Sequence, residues 1–366
     1  MPRYRFEELV YNITEKGMPA PGDEKLYIGL EHLDSGSLSV TRWGGDVELT
    51  GLKLVMKKGD ILFGRRNTYL RRVAISPHDG YFSAHGMIFR AKEEHILSEY
   101  LPFFIASDYF MDAAIRISVG SLSPTVNWKT LKELEFEIPE IEEQKKSAKL
   151  LWAAEDTRRA YEDLLKQSDE LVKSQFIEQF IRPEIPRVKL NEVATVTSGL
   201  TKNSKRPQFL IKMPYLRVAN VLFNEFDLSD VQEIGVQDGE IDKCLVLKGD
   251  LLFVEGNGSP EQIGRVSVWD GSISPILHQN HIIKARFRNG IILPCFAMYY
   301  FMTRDGREQI LSNAATTSGL YTLSLSKIAN FCIPAPPLAA QEAFMATVSQ
   351  FDKSKFNVQI AIYRAH

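Results

Sequence analysis

Short apolar runs broken by turn residues fill most of the chain, and two long polar stretches interrupt them. VMKKGDILFG at 55–64, RRVAIS at 71–76 and GMIFRA at 86–91 hold their apolar side chains in small clusters flanked by Gly, Asp and Ser. Runs this short, bounded by turn formers, predict β-strands. LVLKGDLLFV at 245–254, RVSVW at 265–269 and HIIKARF at 281–287 follow the same rule. Helical stretches are predicted from Leu97 to Ile115 and from Leu293 to Leu311. Each is followed by a proline-marked boundary that opens a long polar helix. The first such helix, from about residue 141 to 181, would run roughly 60 Å at 1.5 Å per residue, longer than one domain needs.

The order of these elements repeats. KGDILF at 58–63 returns as KGDLLF at 248–253, an offset of 190. Tyr27-Ile28 returns as Tyr215-Leu216, an offset of 188, and Arg72-Val73-Ala74-Ile75 as Arg265-Val266-Ser267-Val268, an offset of 193. VNWKTLKELEFEIPEIEEQ at 126–144 returns as LSLSKIANFCIPAPPLAAQ at 323–341, an offset of 197. Four correspondences in one order, with an offset that drifts as loop insertions would make it, mark a duplicated domain rather than a solenoid. The fold class expected is α+β.

Both long helices carry a 3.5-residue apolar period, which predicts a coiled-coil seam. In the first it runs Leu150, Ala154, Thr157, Tyr161, Leu164, Ser168, Leu171; in the second Phe344, Val348, Phe351, Lys355, Val358, Ile362. Leu165, Val172, Phe176 and Phe180 form another strip on the first helix, suited to a domain or a partner. The plainer alternative is two amphipathic helices, each packed on its own domain.

Composition narrows the class. A chain of 366 residues, 44% hydrophobic and 25% charged, is ordinary globular material for two or three domains. Cys244, Cys295 and Cys332 are odd in number and widely separated, which fits neither a disulfide framework nor a zinc site. MPRYRFEELV has no signal-peptide apolar region, and IILPCFAMYYFM at 291–302 is too short to span a bilayer. A cytoplasmic protein with no membrane role is expected. The net charge of −2 decides little, because the pattern of charge matters more than its sum.

Motifs for chemistry are missing: no GxxxxGK[ST], no GxGxxG after a strand, no HExxH, no GxSxG and no Asn-Pro-Pro-aromatic run. His278 and His281 lie in a β-rich stretch that would point them to opposite faces, so no metal site is expected. Glu142 and Glu143 suit the first turn of a helix. An enzyme with its own active site is disfavoured.

What is present is a cluster of arginines. Arg65, Arg66, Arg71 and Arg72 fall within eight residues, just past the Ile61-Leu62-Phe63 run. A guanidinium fork suits phosphate oxygens and the O6/N7 edge of guanine. Asn67 and Thr68 can pair with adenine edges or phosphates, and Tyr69 can stack. A charge run alone is usually a solvated face. The second copy argues otherwise: the scaffold on either side is kept, while the loop becomes VEGNGSPEQIGR, with Asn257, Ser259, Gln262 and Arg265. One scaffold with two different polar loops looks like two readers tuned to different targets. Further candidates occupy matched loops. Ser121, Ser123 and Thr125, followed by Lys129, face Thr317, Ser318 and Tyr321 across the repeat. Ser83 and His85 match the stretch His278, Gln279, Asn280 and His281 loosely. Lys202, Asn203, Lys205 and Arg206 form a basic turn in the second copy.

KGDILF and KGDLLF, SVGSLSPTVNWKTLKELEFEIP and TTSGLYTLSLSKIANFCIP, and PEIEEQ and PPLAAQE before long helices together resemble the specificity (S) subunits of type I restriction-modification systems, the HsdS family. The resemblance covers almost the whole chain. It implies two similar mixed α/β target recognition domains, separated by two long antiparallel coiled-coil helices in a pseudo-two-fold duplication. The divisions are then 1–140 for the first domain, 141–182 for the central spacer helix, 183–337 for the second domain and 338–366 for a shortened C-terminal spacer helix. It further implies double-stranded DNA as ligand, each domain reading one half of a bipartite asymmetric site. Two methyltransferase (M) subunits and motor-nuclease (R) subunits are the implied partners. S-adenosylmethionine, ATP and Mg²⁺ would be held by those partners, with no cofactor bound by this chain. The rival readings are a coiled-coil interaction scaffold with duplicated ligand-binding domains and no DNA role, and a standalone DNA enzyme.

Overall fold

The computed structural model describes residues 1–45, 49–288, 290–317 and 319–365, with side chains for all of these except 238, 317 and 354–365. The expected contact residue Ser318, the side chain of Thr317, and the seam side chains of Lys355, Val358 and Ile362 lie outside the described residues. The chain divides into two compact units, Met1–Arg159 and Ala160–His366.

In the first unit an antiparallel sheet has the order Val10–Ile13, Met87–Ala91, Ile61–Phe63, Val73–Ile75. A second sheet has the order Lys16–Gly17, Lys53–Met56, Gly80–Phe82, Tyr27–Ile28, its last pair parallel. The period of two in a strand sends Ile61 and Phe63 one way and Leu62 the other. Ile61 and Phe63 join the aromatic core of Phe6, Phe89, Phe104, Phe110 and Phe136. Leu62 joins Ile28, Leu54, Phe82 and Ile88, where the two sheets meet.

The second unit repeats this arrangement. Its sheets run Ala194–Ser198, Ile282–Phe287, Leu251–Val254, Val266–Val268, and Gln232–Val236, Ile211–Leu216, Ile276–His278, Leu245–Val246. Tyr215 pairs in parallel with Leu277 as Tyr27 does with Tyr81, so the strands matched by sequence make the same parallel pair, although Tyr27–Ile28 is an edge strand and Ile211–Leu216 is flanked on its other side by Gln232–Val236. Leu251 and Phe253 face a core with Phe296, Phe301 and Phe331, while Leu252 and Val254 face Trp269 and Ile276. The second unit adds a small sheet of Gly256–Asn257, Leu320–Thr322 and Ala315–Thr317.

The most repeated motif is structural. Gly59 and Gly249 take φ of 89° and 90°, a left-handed turn that favours glycine. Asp60 and Asp250 are then buried at 3% and 1% exposure. Asp60 Oδ2 accepts from the Lys57 amide at 2.7 Å, and Asp250 Oδ2 from the Leu247 amide at 2.8 Å. Each carboxylate also takes a two-pronged pair from the neighbouring strand: Arg90 at 2.5 and 2.9 Å, and Arg286 at 2.8 and 2.7 Å. These bonds raise the pKa of both guanidinium groups. The repeated glutamines are structural too. Gln144 accepts from the Leu97 amide and donates to the His95 and Pro139 carbonyls; Gln341 accepts from Leu293 and donates to Ile291 and Pro336. Both are fully buried and fasten a long helix to the segment before its unit's shorter helices.

Two expectations change. Each predicted helical stretch is a pair of helices: Leu101–Ala106 and Asp108–Arg116 in the first unit, Pro294–Met302 and Arg304–Asn313 in the second. Extended Ser107 and Thr303 break them and cap the second helix of each pair, accepting from the Phe110 and Gly306 amides. The long helices span Ile141–Phe180 and Leu338–Ala365. On the first, the buried line is Val172, Phe176 and Phe180, packed with Phe344 and Val348. Leu150, Leu164 and Leu171, expected on a seam, are 72%, 51% and 47% exposed. Phe176 outweighs a leucine line in apolar area, and the helix rolls to bury it. Among the described residues no helix is long and apolar enough to cross a membrane.

Candidate nucleic-acid interface

Strand register places the polar loops of each unit at one end of its main sheet. Phe63 is paired with both Val73 and Met87, so residues 64–72 and 83–86 leave the same edge. Val254 pairs with Ile282 and Ser198 with Ile283, which brings together the loops after 198 and 254 and the turn before 282. In the first unit the arginine loop is laced to the serine-rich loop. The Val126 amide donates to the Arg65 carbonyl at 2.9 Å, and the Asn67 amide to the Pro124 carbonyl at 2.7 Å. Isolated bridges join Arg66 to Thr125 and Val119 to Thr125. In the second unit the Gly256–Asn257 strand pairs with Leu320–Thr322, Asn257 opposite Tyr321. Loops read separately in sequence thus form one surface in each unit.

Within the first surface Arg66 and Tyr69 are exposed, and Arg66 Nη2 donates to Ser123 Oγ at 3.2 Å. Arg65, Asn67 and Arg72 are half-buried, and Ser121, Lys129 and His85 are exposed. Ser123 and Thr125 are half-buried, Thr125 Oγ1 donating to the Ser123 carbonyl. Asn67 and Arg71 take left-handed φ of 55° and 50°, which folds the loop into a tight 3-10 turn at Thr68–Leu70. Arg71 is spent on that fold: its guanidinium pairs with Asp108 at 2.5 Å and Asp112 at 2.6 Å. It anchors the loop to the Asp108–Arg116 helix and adds little positive field.

In the second surface Lys202, Asn203, Lys205 and Gln262 are exposed, and Asn257, Ser259, Gln279, Asn280 and Tyr321 are half-buried. Asn257 Oδ1 accepts from the Ser259 amide at 2.9 Å, and Ser259 Oγ from the Glu261 amide at 3.2 Å, both bracing the turn. Arg265 donates to the Val218 carbonyl, and burial lowers its pKa.

Four expected contact residues are buried and removed from the surface. Thr68 donates to the Arg65 carbonyl, and Ser83 packs against the core with its amide on the Ile28 carbonyl. His278, in the strand Ile276–His278, holds the Ile282 carbonyl through Nδ1 with no exposed surface. Arg206 is 6% exposed and pairs with Glu240 at 2.5 and 2.9 Å, which keeps that carboxyl below the usual range. Their sequence neighbourhoods are polar, but the partner that fixes each one is supplied by tertiary structure.

Two residues that sequence reasoning missed, Arg307 and Glu255, meet the second surface, and His281 joins them there. Arg307 donates to the Ile263, Pro260 and Glu261 carbonyls at 2.7, 3.1 and 3.2 Å, tying the loop to the Arg304–Asn313 helix. The first unit makes the same link with the arginine on the loop side. Glu255 and His281 form a pair at 2.8 Å at the strand exit. The signal for Glu255 was its place directly after LLFV, the slot that Arg65 fills near ILF. Among the described residues no group of three or more His, Cys, Asp or Glu side chains is placed to hold a metal ion.

A model of the type I restriction modification DNA specificity domain matches residues 30–167 and 184–362. The type I restriction enzyme EcoKI specificity subunit of Escherichia coli K12 is 25% identical over 285 residues, 70% of this chain and 59% of that protein. The matched region therefore spans less than two thirds of that relative's length. A solved chain from work on complex assembly and conformational transition of the type I R-M system superposes with a TM-score of 0.54 at 16% identity, covering 99% of this chain and 93% of that one. That likeness is one of fold.

Proposed function

The chain belongs to the type I restriction-modification DNA specificity family, and on that basis we propose that it selects the DNA sequence for a type I complex and performs no chemistry itself. Each unit reads one half of a bipartite, asymmetric site in double-stranded DNA. The observation that carries this reading is one scaffold built twice, with two differently equipped loop surfaces at the same end of the sheet. In the first unit Arg65, Arg66 and Arg72 supply fork-shaped donors, with Tyr69, His85, Ser121, Ser123 and Lys129 around them. In the second, amide and hydroxyl groups of Asn257, Ser259, Gln262, Gln279 and Asn280 take that place, and Lys202 and Lys205 meet phosphates. Base contacts specify and phosphate contacts position.

Methyltransferase subunits dock on the long helices, where Leu164 and Leu171 are exposed. S-adenosylmethionine belongs to those subunits, and ATP and Mg²⁺ to motor-nuclease subunits. The helices set the unread gap between half-sites.

Co-expression with the cognate methyltransferase, followed by mapping of methylated adenines across a host genome, tests the reading. A split motif with a fixed gap is expected. Arg66→Ala should relax one position in one half-site, at a cost of roughly 1–3 kcal/mol, and leave the other half unchanged. No split motif from a stably formed complex, or binding that ignores salt concentration, would overturn it, because phosphate contacts release counterions.

A further inference from the structure

We propose that the Glu255 carboxylate, held by His281, is a base-reading group of the second unit that accepts a hydrogen bond from the exocyclic amino group of a cytosine. The inference rests on the DNA-reading role proposed above and assigns it a specific chemistry.

Arg65 and Glu255 occupy one backbone slot in the two units. Phe63 lies between Val73 and Met87, and Phe253 between Val266 and Ile283; the slot is two residues further on. The Arg65 carbonyl accepts from the Val126 amide at 2.9 Å, and the Glu255 carbonyl from the Leu323 amide at 2.8 Å. Val126 and Leu323 are the matched first residues of the repeated block. The main chain is therefore held alike while the charge at the slot is reversed. Glu255 is pinned once more, its amide donating to the His281 carbonyl at 2.9 Å.

The carboxylate is oriented as well as placed. His281 Nδ1 lies 2.8 Å from Glu255 Oε2, with side chains 56% and 29% exposed. Among the described residues Oε1 has no hydrogen-bond partner and is left for a ligand. His281 is a positioning residue: the parallel register Tyr27–Tyr81 and Tyr215–Leu277 makes it the counterpart of His85.

A carboxylate on a DNA-facing surface is repelled by phosphates, so its favourable partners are base donors. The major groove offers two, cytosine N4 and adenine N6. Adenine sets the N7 acceptor beside N6, which repels a carboxylate; cytosine sets no acceptor next to N4 on that edge. The slot filled by an arginine, suited to guanine O6/N7, is thus turned to the opposite donor pattern by a single residue type.

The test begins with the motif mapped for the wild-type complex. Purified complexes carrying Glu255→Gln, Glu255→Ala or His281→Ala are then titrated with duplexes that vary each cytosine of the second half-site through all four pairs. For one such position the wild type should prefer C·G by about five- to 150-fold, the range of ~1–3 kcal/mol for one good base contact. Glu255→Ala should erase that preference, Glu255→Gln, which keeps a neutral acceptor and gains a donor, should weaken it in favour of A·T, and both should leave the first half-site untouched, which also reports that the variants are folded. His281→Ala should weaken it at the same position. Equal preference in wild type and both Glu255 variants, relaxation at a position that is not cytosine, or an equal loss of affinity on all four duplexes would each overturn the assignment. Absence of any split motif in the wild type would overturn the DNA-reading role itself, before any variant is made.

Discussion

His278 occupies the place that Phe82 fills in the first unit, at the end of the strand parallel to the Tyr215–Leu216 segment. Its burial, with a smaller push from nearby Lys284, lowers its pKa from 6.5 to about 4. At pH 7 the ring is neutral both folded and unfolded. As pH falls through 6.5 the unfolded chain takes up a proton that the folded chain refuses, so stability falls until about pH 4, by about 3 kcal/mol in all. Chemical denaturation of the wild type at a series of pH values should show this slope, and His278→Phe should flatten it whatever its stability at pH 7. An unchanged slope would place the titration elsewhere. The same residue shows where sequence reading ends. His278, Arg206 and Arg71 all stand in polar stretches that look like ligand contacts. What removes them is a core wall, Glu240, and the Asp108–Asp112 pair, each remote in sequence. Arg66 and Lys205 have the same local chemistry and remain on the surface.

At the scale of elements, the duplicated parts were legible because they solve a backbone problem the same way twice. A left-handed glycine followed by a buried aspartate leaves few substitutes, and neither does a glutamine that must satisfy one amide and two carbonyls at once. The helix seam was less legible, since a 3.5-residue period fixes spacing but not which of two adjacent apolar lines turns inward. Phe176 meets Phe180, Phe296 and Phe344 with ring centroids 4.8–5.3 Å away, and that packing decides the roll. Leu164 and Leu171 are left outside, and in the proposed complex they meet methyltransferase helices. Leu164→Glu with Leu171→Glu should therefore leave thermal unfolding of the isolated chain within about 0.5 kcal/mol of the wild type, as for exposed sites. It should cut co-purification of the methyltransferase at least tenfold. Full retention of the partner would move docking away from this face.

For the molecule as a whole, the proposed function makes recognition a question of distance as well as chemistry. The Ile141–Phe180 helix has 40 residues, enough for a span of roughly 60 Å at 1.5 Å per residue. If rods of this kind hold the two readers apart, the unread gap follows their length and the half-sites follow the loops. These two properties then separate by mutation. A seven-residue insertion preserves the 3.5-residue packing period, and at 1.5 Å per residue adds about 10.5 Å. Placed in both long helices, it should lengthen the gap by about three base pairs at 3.4 Å per pair, with both half-site sequences unchanged. Insertion in one helix alone should make the two rods unequal in length, and abolish methylation rather than change its spacing. Adenine-methylation mapping distinguishes these results. An unaltered gap after paired insertion would show that spacing is set by the partner subunits, with this chain contributing the two readers alone.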